Sequence, residues 1–172
     1  MPPTADQILD RYLALARPLL SRGRLAQMHD ITQHGSTSTL EHCAAVAYVA
    51  LAADMLLGLG LDEEALVEGG LLHDYFLYDW HDASQAPDRF HGFTHPRHAL
   101  RNALADFSPS KTAQDVIERH MFPFHPLPPR TREGWVVCLA DKVCTTAEVL
   151  SRHPYARHYP HNHDGRCTRQ EV

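Results

Sequence analysis

The chain has 172 residues, 44% of them hydrophobic and 22% charged, with a formal net charge of -5 when histidine is neutral. That length supports one domain with a sizeable core, and the acidic balance argues against a broad nucleic-acid surface. The departure from ordinary composition is 14 His against 6 Tyr and 6 Phe, which points to metal ligation or to strong pH dependence between roughly pH 5 and 8.

In chain order, Thr4-Ala5-Asp6-Gln7 has the form of a capping box, and Ile8, Leu9, Tyr12, Leu13, Leu15 and Leu19 follow at helical spacing. This first helix is expected to end near Ser21-Arg22-Gly23. A second, shorter helix is expected from Arg24 to Gln33, stopping at Gly35. Ser38-Thr39-Leu40-Glu41 repeats the capping box and opens a long helix to about Leu57, with Gly58 and Gly60 past its end. His42, Ala45, Val46, Val49, Ala53 and Leu56 share one face of it, so His42 lies on an apolar stripe. Asp62 can cap the next helix, which carries Leu66, Val67, Leu71 and Leu72 into the doublet His73-Asp74. From Asp79 to Phe93 the chain is rich in His, Asp, Pro and Gly and reads as a loop. Pro96 suits a first helical position, which sets His95 at the entrance of a helix to about Phe107. Ser108-Pro109 is expected to open another, with Ala113, Val116, Ile117 and His120 on one face. Pro123, Pro126, Pro128 and Pro129 enforce an extended loop. The last helix runs from about Thr131 to Leu150, and its face Val137, Cys138, Asp141, Cys144 places a carboxylate among apolar groups.

No strand-period segment of useful length and no internal repeat is present. The expected fold is all-α, a bundle of about six or seven helices in a single domain over residues 1–150, with its core at 38–150. Residues 151–172 form a His-, Arg- and Pro-rich tail whose His153, His158, His161 and His163 read as solvated, with adventitious metal binding as the alternative. Cys43, Cys138, Cys144 and Cys167 show no C-x-x-C spacing, and three of them lie in apolar helical runs. A reduced, cytoplasmic compartment is expected. Neither a signal peptide nor an uninterrupted apolar run near 18 residues is read, so no membrane partner is expected.

Adjacent His and Asp in a run of Leu and Gly are costly to bury unless something pairs with them. A divalent metal satisfies both, because imidazole nitrogen and carboxylate oxygen are good ligands. His42, His73, Asp74 and Asp141 each sit on or beside an apolar helical face, and they come from three separate helices. Helical bundles build metal sites from inward-pointing ligands of that kind. Taken singly, each residue also reads as a hydrogen-bonded buried His, or as an Asp paired with Arg or Lys.

His, then His-Asp, then Asp, all helix-borne in this order, resembles the HD-domain superfamily of metal-dependent phosphohydrolases, over about Ser38 to Leu150. The resemblance implies an all-helical fold and assigns His42, His73, Asp74 and Asp141 as metal ligands. His95, in His95-Pro96-Arg97-His98, resembles the His-Pro segment of the HD-GYP cyclic-dinucleotide phosphodiesterases, and His120 falls where those enzymes carry another ligand. These two imply a second metal, with His98 a substitute for His95 and Asp74 the bridging carboxylate. The Gly-Tyr-Pro signature is missing, which argues against a cyclic dinucleotide substrate. More narrowly, the segments HDYFLYDWH, HGFTHP and HMFP resemble a group of bacterial HD-domain proteins. His81 and His91 read equally well as ordinary loop histidines.

The implied cofactor is one or two divalent transition metals per chain (Mn, Fe, Co, Ni or Zn), since mixed His and carboxylate ligands suit these better than Ca. The implied chemistry is hydrolysis of a nucleotide or other small phosphoester by metal-bound hydroxide. Asp79, shortly after the doublet, is expected to serve as general acid or base, and Lys142 to contact phosphate. Their alternative readings are a capping Asp and a solvated Lys. Arg97, Arg101 and Arg119 are further phosphate candidates. Two other functions use the same residues: a di-iron oxygenase on this fold, and a non-catalytic metal- or nucleotide-binding signalling module.

Overall fold

The two capping boxes form as reciprocal hydrogen bonds. The Thr4 hydroxyl accepts from the Gln7 N–H while Gln7 Oε1 accepts from the Thr4 N–H, which opens α1 (Ala5–Leu20). Ser38 and Glu41 do the same for α2 (Thr39–Leu57), which stops at Gly58 with φ of 61°. Without a Cβ, that left-handed conformation is nearly free of strain. A computed structural model describes residues 1–82, 84 and 91–151. The tail histidines, Cys167 and the side chain of His91 lie outside the described residues. The remaining helices are α3 (Glu63–Leu72), α4 (His91–Asp106), α5 (Lys111–Arg119) and α6 (Arg132–Leu150). The fold is all-α, as the sequence implies, with a 3₁₀ helix (Leu25–Asp30) and one two-stranded hairpin besides.

Three local expectations are corrected. The helix expected from Arg24 to Gln33 is the 3₁₀ turn followed by an antiparallel pair, β1 (Thr32–His34) and β2 (Thr37–Ser38). β-Branched Ile31 and Thr32 favour extended backbone, and Gly35 supplies the positive φ of 59° that the hairpin turn requires. Gln33 is thereby turned inward and buried. The helix expected to begin at Pro96 starts at His91, so Pro96 lies inside it and His95 sits in the helix rather than at its entrance. Proline there forfeits only the bond to the Gly92 carbonyl near the helix start. The helix expected to open at Ser108-Pro109 is capped by Ser110, whose hydroxyl accepts from the Ala113 N–H.

α3 is the element that positions everything else, and two glycines let it do so. A Cβ on Gly70 would lie 2.7 Å from the Ala47 Cα of α2, and one on Gly69 would lie 2.7 Å from Val116 Cγ1 of α5. Any larger residue would push α3 off one neighbour or the other. Squeezed between them, α3 delivers His73 and Asp74 to the middle of the molecule. By length and composition α2 is long and apolar enough to cross a membrane. Here it is the central core helix, packed on α1, α3 and α6, with Cys43, Val46, Ala47, Ala50 and Leu51 fully buried.

The turn after the doublet is tied down by a polar triad. The Tyr75 hydroxyl donates to Asp106 Oδ2 at 2.6 Å and accepts from the Arg24 N–H at 2.6 Å, while Arg24 Nε reaches the same Asp106 oxygen at 2.7 Å. The hydrogen bonds from Arg24 and Tyr75 hold the Asp106 carboxyl below its ordinary range. A carboxyl depressed on folding contributes stability above its unfolded pKa of about 4, and that stability is lost as the pH falls through the folded value. Asp106→Asn is therefore expected to lower the melting temperature at pH 7, with the gap to wild type closing below about pH 4. Parallel melts across that range check it, and a gap independent of pH would refute the assignment.

Candidate metal centre

His73 is the C-cap residue of α3 and Asp74 follows it, so the doublet stands at a helix end. His42 comes from the first turns of α2, Asp141 from the middle of α6, His95 from α4, and His120 is the C-cap residue of α5. All six are buried. His42 Nε2 lies 3.3 Å from His73 Nε2 and 3.3 Å from Asp141 Oδ1. Asp74 Oδ2 lies 3.5 Å from His73 Nε2 and 3.9 Å from His42 Nε2. Its other oxygen, Oδ1, lies 3.1 Å from His95 Nε2 and 3.4 Å from His120 Nε2, and those two nitrogens are 3.0 Å apart. One carboxylate thus divides its oxygens between two pairs of imidazoles.

The rings are set by what lies behind them. His73 Nδ1 donates to the Gly70 carbonyl at 2.8 Å and His120 Nδ1 to the Ile117 carbonyl at 2.9 Å. His42 Nδ1 meets both oxygens of buried Glu148, at 2.9 and 3.0 Å. Carbonyl and carboxylate only accept, so each ring donates through Nδ1 and turns Nε2 inward, where a neutral ring offers a lone pair. Inward-facing ring nitrogens crowded around a buried carboxylate call for shared positive charge, from a metal ion or from protons. Asp74 Oδ1 makes the case most directly, being buried with no hydrogen-bond donor among the described residues. Two ligand-like groups result, His42–His73–Asp141 and His73–Asp74–His120, each within reach of one ion. The donor set suits a divalent transition metal.

Without a metal, protons supply part of that charge. Burial disfavours charge on His42, but the Asp141 and Glu148 carboxylates outweigh it and raise its pKa to about 10. Burial dominates at His73 and lowers it to about 4. Burial works against the ionised forms of Asp74 and Asp141 too, yet the surrounding imidazoles hold both well below the usual carboxylate range. A proton and a metal ion compete for the same inward-facing nitrogen of His42.

The other candidates stand outside this six-residue cluster, at its rim or beyond it. Asp79 accepts from the His81 N–H at 2.9 Å in the partly exposed turn after the doublet, and His81 stacks on Trp80 with ring centroids 3.7 Å apart. Lys142 lies at the rim of the cluster, 3.4 Å from Asp141 Oδ2, and donates to the His120 carbonyl at 2.8 Å. Arg119, expected as a phosphate candidate, is instead buried against Asp115 at 3.0 Å and donates to the Pro128 carbonyl, so it braces the proline loop. Arg97 is exposed, and Arg101 lies 3.3 Å from His98, which itself packs edge-on against Tyr78. His95, not His98, faces the cluster.

Two participants were not legible beforehand. Gln33 Nε2 donates to Asp74 Oδ2 at 2.6 Å, and its own Oε1 accepts from the Thr39 hydroxyl at 3.1 Å. Glu148 lies two turns beyond Asp141 on α6, and that spacing was the one available signal for it. Gln33 fell within an expected helix and carried no signal.

A protein-family model described as HD domain matches residues 39–146. Neither the curated proteins nor the solved structures contain a match to the chain.

Asp141→Asn keeps the shape of the side chain while removing its charge. It is expected to weaken metal binding at least about tenfold, on the scale seen for altered metal-site residues. With free metal held well above both dissociation constants, that removes about 1.4 kcal/mol of metal-dependent stabilisation. Thermal melts of both proteins with metal and with chelator check it. A wild type that melts identically in both conditions would overturn the metal assignment.

Proposed function

The chain belongs to the HD-domain family, and on that premise we propose that it is a metal-dependent phosphohydrolase acting on a small phosphoester of nucleotide-like kind. The observation that carries this is the division of Asp74: Oδ2 toward His42 and His73, Oδ1 toward His95 and His120. We assign His42, His73, Asp74 and Asp141 as ligands of one divalent ion and His95 and His120, through Asp74, as ligands of a second. Bound in such a pair, divalent ions supply Lewis acidity toward a phosphoryl group and a water of lowered pKa.

The chain's own groups do the rest. Glu148 and the Gly70 and Ile117 carbonyls fix the tautomers of His42, His73 and His120, so no ring must reorient during turnover. Lys142, held against the outer oxygen of Asp141, places a cation at the rim where an anionic substrate would arrive. Asp79 retains solvent access in the turn after the doublet and is the proposed proton donor to the leaving group. Cys43, Cys138 and Cys144 are small thiols packed into the helical core, which supports a reducing, cytoplasmic setting.

The test is a panel of p-nitrophenyl phosphate, bis-p-nitrophenyl phosphate and nucleotides, run with Mn²⁺-, Co²⁺- and Fe²⁺-loaded protein alongside oxygen consumption. Metal-dependent release of p-nitrophenol or phosphate is expected, reduced at least about tenfold in Asp74→Asn and in His120→Ala. Oxygen uptake without phosphate release would replace the hydrolase by the oxygenase reading. Metal binding with neither activity would favour a signalling module.

A further inference from the structure

We infer that Glu148 and Gln33, which flank the family-matched segment on either side, are positioning residues that make the centre unequal, so that the half built on His42, His73 and Asp141 takes metal first and the half built on His95 and His120 second. This rests on the dinuclear reading above.

Three rings of the centre are oriented through Nδ1, but by different partners. His73 and His120 donate to neutral backbone carbonyls, whereas His42 faces a carboxylate whose side chain has 0% exposure. A charged acceptor polarises the imidazole more strongly and makes its inward nitrogen the better donor to a cation. Asp141 lies 3.3 Å from that same nitrogen and adds a second negative charge on the His42 side. Glu148 and Asp141 share one face of α6, so both charges are delivered by a single rigid element.

Gln33 acts on the bridge. Its amide donates to Asp74 Oδ2 and is itself held by the Thr39 hydroxyl at the start of α2. That fixes the plane of the Asp74 carboxylate, with Oδ2 toward the first half and Oδ1 toward the second. Without the amide, the carboxylate is free to turn both oxygens onto the first ion and withdraw Oδ1 from His95 and His120.

The experiment titrates chelator-stripped protein with Co²⁺ alone, followed by calorimetry and by the visible absorption of the bound ion. Wild type is expected to bind in two resolved steps. Glu148→Gln keeps an acceptor behind His42 but removes its charge, and it should weaken the first step about ten- to hundredfold while moving the second less than about threefold. Gln33→Leu should do the reverse, weakening the second step about tenfold with the first retained. Should Glu148→Gln fail to fold, His42→Ala and His95→Ala decide the order: the former must abolish the first step, the latter only the second. An unchanged first step in folded Glu148→Gln overturns the inference. Two equal steps in wild type overturn it alone, leaving the hydrolase reading standing. No cobalt binding by wild type overturns both.

Discussion

Everything in the centre depends on keeping a fully ionised carboxylate, that of Asp74, inside a helical core. A buried charge of this kind is tolerated only when cations or strong donors surround it. Here the compensation is divided: Oδ2 meets the Gln33 amide and the His42–His73 pair, and Oδ1 meets His95 and His120. To put one carboxylate between four rings, α3 must enter the interior nearly in contact with both neighbours. Gly69 and Gly70 make that approach possible. The Tyr75–Asp106–Arg24 triad then holds the chain immediately after the doublet.

Helix ends do much of the positioning. The last carbonyls of a helix lack intrahelical partners and must be satisfied otherwise. At the end of α3 the Gly70 carbonyl accepts from His73, and at the end of α5 the Ile117 carbonyl accepts from His120. One hydrogen bond in each place both satisfies an orphan carbonyl and fixes an imidazole tautomer. A histidine three residues after its acceptor, at the point where a helix stops, thus turns a cost of helix termination into ligand orientation. His42 lies at the opposite end, in the first turns of α2, where no such carbonyl is spare. It takes Glu148 from another helix instead.

This explains which parts were legible in the sequence. Helix starts were, because Thr4, Ser38, Asp62 and Thr131 cap locally and their signals lie within four residues. His42, His73, Asp74 and Asp141 were, because each sits on or beside an apolar helical face, whereas His95 and His120 were marked by the family resemblance. Starts governed by proline were misplaced, since Pro96 is tolerated inside α4 and Ser110 competes with Ser108 as a cap. The hairpin at residues 32–38 escaped because its strands are too short to show alternation, and Gln33 escaped with it. Arg119 shows the same limit from the other side. Its charge suggested phosphate, and although Asp115 stands one turn away in the sequence, only the fold shows Arg119 buried against it.

Charge accounting bears on the class of substrate proposed for this centre. Asp74 and Asp141 contribute two negative charges among six neutralisable donors, and Glu148 adds a third one layer out. With one dication the assembly would carry roughly one net negative charge, and an anionic ester would be repelled from it. With two it carries roughly one net positive charge, in a low-dielectric setting where that charge acts at close to full strength. Lys142 at the rim adds to the attraction. Only the doubly loaded state would therefore match the phosphoryl substrate proposed above. On that proposal the same sum bears on the histidine-rich second half: a further carboxylate in place of His95 or His120 would hold a second ion more tightly but cancel the positive charge offered to a phosphoester.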